Sequence, residues 1–395
     1  MPLRQRRKVQ ELLSQATLNV IIDGAVSLSS FGLIKPESMI FASDNWAGAA
    51  DEIAASLQKH SAGFSPAYGA SDLDRALERR FNELFERDVA VFFVGTGTAA
   101  NSLALSAVNR PGGFVLCHRE AHLIEDECGA PEFFTSGARL APIDGDLGKI
   151  DPNELQKGLE RFDPDFVHHG QPMAVSVTQA TEVGSVYTTD ELAAITDMTH
   201  SFGLPVHMDG ARFANAMVHL GVSPAEMTWK AGIDVVSFGG TKNGCWCAEA
   251  LIFFDPDRAK QLPFIRKRAA QLFSKTRFIA AQFHAYLDDD LWIRLATHAN
   301  AMAQRLSDGI KQLPGVSLAW TCQSNELFVT MPKQLANTLQ AQGARFYPWP
   351  VPSEFSKKLG RGDGLYRLVT SFATDPQDVD QFLELIRQHT PAAIP

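Results

Sequence analysis

The chain is poor in cysteine, with five among 395 residues. The number is odd and too small for a disulfide framework, so a reducing, cytoplasmic setting is expected. Cys245 and Cys247 flank Trp246, but no second pair follows at zinc-like spacing, and no metal site is expected. Long apolar runs are missing as well. The best stretch, residues 18–22, is stopped by Asp23 and falls far short of the roughly 20 residues that span a bilayer. Positive charge is in deficit: 36 Lys+Arg against 45 Asp+Glu give a net charge of −9, without the basic field of a general nucleic-acid binder. No internal repeat is visible. The remaining composition is that of an ordinary globular protein. Its 45% apolar residues are enough to bury the cores of two or three domains.

Residues 1–40 differ from the rest. Arg4, Arg6, Arg7 and Lys8 make the start basic, but Glu11 and Asp23 interrupt the pattern and no small-residue cleavage site follows. An N-terminal extension packed on the body or on a partner subunit fits better than a targeting peptide. Further on, short apolar runs alternate with helical patterns. Strands are expected at 89–94, 114–117, 166–168, 174–177, 204–209 and 234–238, with a helix over 98–108. Thr188-Thr189-Asp190-Glu191 fits a capping box. Leu192, Ile195, Thr199 and Phe202 then line one helix face, which Gly203 ends. This rhythm predicts an α/β fold whose mostly parallel sheet is flanked by helices, with ligands at the carboxyl ends of its strands. After about residue 260 a helical stretch (263–312) is followed by strands near 316–320, 326–331 and 365–372, a helix near 333–342 and a closing helix. The expected division is an extension (1–40), a large domain (41–290) and a smaller C-terminal α+β domain (291–395).

Three segments carry possible chemistry. Gly95-Thr96-Gly97-Thr98 follows a strand and opens a helix, where backbone N–H groups, hydroxyls and the helix dipole can face an anion. It is neither a dinucleotide fingerprint nor a P-loop, and a plain strand–helix turn is the rival reading. Asp209-Gly210-Ala211-Arg212 stands at a strand end, where a carboxylate is costly without a partner. Asp209 is either a helix cap or the charge partner of a protonated heterocycle. Lys242 follows in the Gly-rich loop Gly239-Gly240-Thr241-Lys242, where a lysine of lowered pKa can form a Schiff base. Together these suit pyridoxal 5′-phosphate (PLP), which needs an anion site, a pyridinium-nitrogen partner and an imine-forming lysine.

These residues also carry a family likeness. The chain resembles the threonine aldolase group of fold-type I PLP enzymes, particularly the low-specificity L-threonine aldolases. The matching motifs run from Ser43-Asp44-Asn45 through Tyr68-Gly69, Phe93–Thr98, Glu120-Ala121-His122, His207–Arg212 and Gly240-Thr241-Lys242 to Arg367-Leu368-Val369-Thr370. The resemblance implies a fold-type I architecture and a carbon–carbon lyase that cleaves L-threonine, L-allo-threonine and related β-hydroxy-α-amino acids to glycine and an aldehyde. A β-eliminating lyase, racemase or aminotransferase is the alternative. By resemblance Lys242 carries PLP, Asp209 pairs with the ring nitrogen, and Thr96, Gly97 and Thr98 hold the phosphate. His122 stacks on the ring, with Glu127 near it. Ser43, Tyr68, Arg212 and Arg367 serve the substrate, Arg212 also bordering the cofactor. Arg suits a carboxylate because its planar fork binds it bidentately. Lys275 and Arg277 belong to a run of seven bases without an acid over 258–277, and by resemblance reach a neighbouring subunit's phosphate. The implied partners are a small amino acid and further copies of the chain, as a homotetramer (a dimer of dimers) with shared sites; nucleic acid and membrane are not expected. Departures from the family pattern include Gln179-Ala180-Thr181, residues 272–277 and the extension 1–40.

Overall fold

The computed structural model describes residues 38–163, 165–352 and 355–390. The readings made for residues 1–37 lie outside them. Seven strands form the main sheet: β1 (Ala90–Val94), β2 (Gly113–His118), β3 (Arg139–Ile143), β4 (Gln171–Thr178), β5 (Val206–Gly210), β6 (Val235–Gly239) and β7 (Glu249–Phe253). Their order is β1-β7-β6-β5-β4-β2-β3. The strands from β6 to β3 are mutually parallel, whereas β7 runs antiparallel to both its neighbours, β1 and β6. Its first residue therefore lies among the carboxyl ends of the other strands. A smaller antiparallel sheet, ordered β10-β11-β9-β8, contains β8 (Ser317–Leu318), β9 (Glu326–Pro332), β10 (Tyr347–Pro348) and β11 (Asp363–Val369).

Two corrections to the sequence reading concern strands. Residues 166–168 form no strand. Phe166 and Val167 sit exposed in a turn, and the strand begins only at Gln171, where the chain pairs with Gly113. β3 and β7 were not anticipated. The capping box is present: Thr188 Oγ1 accepts from the Glu191 amide at 3.2 Å, and Glu191 Oε2 accepts from the Thr188 amide at 2.7 Å. Leu192, Ile195 and Thr199 are buried as the periodicity requires, but Phe202, at the helix end, is exposed.

Aromatic rings pin the region beneath the site. Phe81, Phe85, Phe213, Phe238, Phe283, Tyr286 and Trp292 are all buried and meet mostly edge-on or tilted, for example Phe81–Phe238 at 5.7 Å and 87°, a geometry that their ring quadrupoles favour. The helix Leu291–Ile310 joins two cores. Leu291, Trp292 and Ala296 pack beneath the large sheet, while Met302, Ala303, Leu306 and Ile310 pack with β9 and β11. Met39 and Phe41 belong to this second core. The Val369 amide donates to Phe41 O at 2.9 Å. The chain then turns at residue 43 towards the ends of the large sheet.

Candidate active site

The strand ends deliver their side chains to one cavity of about 380 Å³, lined among others by Thr96, Gly97, Thr98, His122, Asp209 and Lys242. β1 runs into the helix Gly97–Ala107, whose N-cap Thr96 accepts from the Ala99 amide at 3.1 Å. The Gly97 and Thr98 amides are first-turn donors that have no acceptor within the helix. A Cβ placed on Gly97 would meet nothing within 4 Å, so the space above the loop is open. Gly95 is glycine for a steric reason: a Cβ there would stand 2.9 Å from the Phe273 ring. The Gly95 amide donates to Gln271 Oε1 at 3.1 Å.

Asp209 ends β5. Its Oδ1 accepts from the Ala211 amide at 3.0 Å and its Oδ2 from Asn101 Nδ2 at 2.9 Å. The same Asn101 nitrogen donates to Glu127 Oε1 at 2.8 Å. One amide thus bridges two buried carboxylates that would otherwise repel. Glu127 Oε1 also pairs with His122 Nδ1 at 3.0 Å. That bond raises the imidazole pKa above its ordinary value despite burial. Burial raises the Glu127 carboxyl in turn. Ligand atoms of His122, Glu127 and Asp209 lie within 4.8 Å of one another, a spacing compatible with a cation, but hydrogen bonds already tie the three together. Glu127 Oε2 is buried without a partner.

Lys242 lies just beyond β6, in a turn over Thr241–Asn243. Buried Asn243 anchors it by donating to the Tyr286 hydroxyl at 2.8 Å and to Trp292 O at 2.9 Å. Gly240 allows the close return of the chain, since a Cβ there would come within 2.8 Å of Ala248 O. Glu249, the first residue of β7, lines the same cavity.

The arginines sit differently. Arg212 is buried, and its guanidinium is clasped by Asp44, with Nε to Oδ2 at 2.8 Å and Nη2 to Oδ1 at 3.1 Å, and by Glu326, with Nη1 to Oε2 at 3.0 Å. The Asp44 contacts are hydrogen bonds that use two of its five N–H groups, and the Glu326 contact is an ion pair, with Glu326 Oε2 left without a hydrogen bond. Burial opposes the Arg212 charge, but the two acids outweigh it and hold the guanidinium firmly protonated. Burial would raise the Asp44 carboxyl, but Arg212 and Lys242 outweigh it and hold it below its usual range. Burial lifts Glu326 above its usual range. Arg367 lies 3.5 Å from Glu326 Oε1 and stacks on Trp349 at 4.3 Å. It lines a second cavity of about 360 Å³ with Glu182 and Trp349. Ser43 Oγ caps the short turn Asp44–Trp46 by accepting from the Asn45 amide.

Like Ser43 and Arg212, the trio Tyr68, Lys275 and Arg277 lines neither cavity. They lie along a common stretch of surface, where the Tyr68 amide donates to Ser274 O at 3.1 Å and Arg277 Nη1 donates to Gly63 O at 3.2 Å. Asn101, Glu249 and Glu326 were missed in the sequence. Asn101 interrupts an otherwise small and apolar helix face, and each glutamate opens an apolar strand. A lone acid or amide at such a position was the available signal.

A mostly parallel sheet that gathers an open helix N-terminus, a strand-end aspartate and a loop lysine at one edge is the arrangement of fold-type I PLP enzymes. The donor set fits that cofactor: free first-turn amides for a phosphate, a carboxylate for a ring N–H, and a primary amine. The model of the beta-eliminating lyase family matches residues 41–332, and the chain belongs to that family, within its threonine aldolase group. It is 42% identical over 348 residues to a low specificity L-threonine aldolase from Pseudomonas aeruginosa, covering 88% of this chain and 96% of the relative. A second such aldolase, from Pseudomonas sp., is 45% identical over 312 residues, which are 79% of this chain and 89% of the relative. The solved threonine aldolase of Leishmania major superposes with a TM-score of 0.82 at 27% identity, covering 88% of this chain and 98% of that one.

Proposed function

We propose that the chain cleaves L-threonine, L-allo-threonine and related β-hydroxy-α-amino acids to glycine and an aldehyde. The observation that carries this reading is the convergence of Lys242, Asp209, His122 and the Thr96–Thr98 turn on one cavity, in a chain 42–45% identical to low specificity L-threonine aldolases. PLP, when bound, supplies the electron sink for the pair left at Cα. Lys242 attaches it and Asp209 accepts its ring N–H, with Asn101 holding the carboxylate in place. The Gly97 and Thr98 amides, with the Thr96 and Thr98 hydroxyls, bind the phosphate. His122 covers the ring. Because Nδ1 is engaged by Glu127, its Nε2 is the nitrogen free to take the β-hydroxyl proton. Arg367 and Arg212, with Ser43, would hold the substrate carboxylate and so orient the bonds at Cα. The Asp44 and Glu326 contacts keep Arg212 oriented while leaving donors unused. Tyr68, Lys275 and Arg277 serve a neighbour's site in a homotetramer. The exposed Phe64, Phe264 and Phe273 support a covered surface in this region. Five free cysteines support a cytoplasmic location.

The test is to supply L-threonine, L-allo-threonine, D-threonine and phenylserine separately to PLP-loaded protein. The L-isomers should yield glycine and aldehyde in equal amounts with no keto acid. Aldehyde from none of the four would overturn the reading, and a keto acid product would favour elimination or transamination.

A further inference from the structure

Glu249 has no part in the machinery above, yet it stands at its centre. In register, Glu249 pairs with Val94 on one side and Gly239 on the other. Val94 leads directly into the anion-binding turn, and Gly239 leads into the Lys242 turn. The antiparallel direction of β7 is what brings a strand's first residue to this edge. The side chain belongs to a residue only 6% exposed and borders the cavity with Lys242. Thr241 is a neighbouring polar group that favours its charged form. A buried acid at this position is costly, and nothing in the packing of β7 calls for it.

The groups that face it can be named element by element. The turn after β6 supplies Lys242, the end of β5 supplies Asp209, the loop before β7 supplies Cys245 and Cys247, and the helix Arg277–Leu287 supplies Tyr286. β1 contributes no charged side chain here. Burial lifts the carboxyl to about 7, Thr241 and Lys242 pull it back, and Asp209 pushes it up again. Lys242 is therefore the one cation among these groups. A lysine attacks a carbonyl only as the neutral amine, whereas an ordinary ammonium stays charged to a pKa of about 10.4.

We propose that Glu249 is the proton-holding partner of Lys242, taking the ammonium proton when Lys242 must act as a nucleophile and returning it when Lys242 is released. The step balances: Lys242 Nζ–H₃⁺ and the Glu249 carboxylate become Lys242 Nζ–H₂ and the Glu249 carboxylic acid, with no net change of charge. The neutral acid also suits a neighbouring phosphate better than a carboxylate. Glu249 is thus a positioning residue that acts through Lys242. The proposal rests on the assignment of PLP to Lys242.

The experiment counts protons during cofactor binding. Cofactor-free wild type and Glu249→Gln are titrated with PLP in buffers of different ionisation enthalpy, while the visible absorbance of the lysine-bound cofactor is followed. The wild type should release about one proton fewer per site than the variant, because Glu249 retains it. Equal release in both, with the absorbance present in both, overturns the role of Glu249 and leaves the PLP assignment standing. Absence of that absorbance from the wild type overturns both. Should Glu249→Gln fail to fold or bind, the infrared difference spectrum of the wild type, loaded minus cofactor-free, decides. A new protonated-carboxyl band is expected, and its absence overturns the proposal.

Discussion

The two ends of the site are built on opposite principles. At the cofactor end, each side chain follows its own strand: Thr96 to Thr98 after β1, His122 after β2, Asp209 on β5 and Lys242 after β6. Their partners are hydrogen-bonding groups, and donors are left over for a ligand. At the arginine end, Arg212 is held by acids distant in sequence. Asp44 lies 168 positions before it, and Glu326 comes from the other sheet. There, charge is matched by charge inside the protein before any substrate arrives. The cofactor end is a socket with unused valence, and the arginine end is a clasp that ties the two sheets together. Removing a residue should therefore cost ligand binding at the first end and folding stability at the second.

The largest effect expected on stability is that of Arg212→Met. It strands the Asp44 and Glu326 carboxylates in a dry environment, and breaking such a pair costs about 3–5 kcal/mol. Denaturant unfolding of the cofactor-free protein should show this loss, and the further change Glu326→Gln should recover part of it. A loss below 1 kcal/mol would mean that the clasp is not structural.

Next comes acid sensitivity, which adjoins the cofactor end. His207 lies buried between Ser176 Oγ at 2.8 Å and Ser237 Oγ at 2.9 Å, and burial pulls its pKa down to about 4. The folded value is below that of the unfolded chain, so the unfolded state binds the proton more readily. Stability should fall as pH drops from about 6.5 to about 4, by up to about 3 kcal/mol from this residue, and then level off. Thermal unfolding of wild type and His207→Gln across that range checks it: the variant's profile should be flatter.

The smallest effect is expected for Asn101→Ala. Losing the donor shared by Glu127 and Asp209 should weaken PLP binding by about 1–3 kcal/mol, measured by titration of the cofactor-free protein, with a smaller change in folding stability. If stability fell more than binding, the contrast between socket and clasp would fail at this position.

This contrast also explains how much was legible in the sequence. The socket could be read because each of its residues stands immediately after an apolar run, and Gly95, Gly97 and Gly240 mark the turns that need close approach or open space. Five of the seven strands of the sheet were legible through the same runs, and β3 was not. β7 was not, because Ala248–Phe254 follows the lysine loop with no helix between, and a reading based on alternating strand and helix leaves no slot for an antiparallel insertion. The stretch 166–168 misled for the opposite reason: its apolar residues lie exposed in a turn. Arg212 stood out at a strand end, but its internal acids did not. Glu326 opens an ordinary-looking strand, and only the fold brings it to Arg212. Glu249 is hidden in the same way, as a single acid at the head of a strand whose direction the sequence does not reveal.

The central claim is that the strand ends converge on Lys242 as the site of cofactor attachment. The direct measurement is to load the protein with PLP, reduce it with borohydride and map the added mass by peptide mass spectrometry. The mass should appear on Lys242, and Lys242→Ala should carry none. Attachment to another lysine, or none in the wild type, would contradict the account.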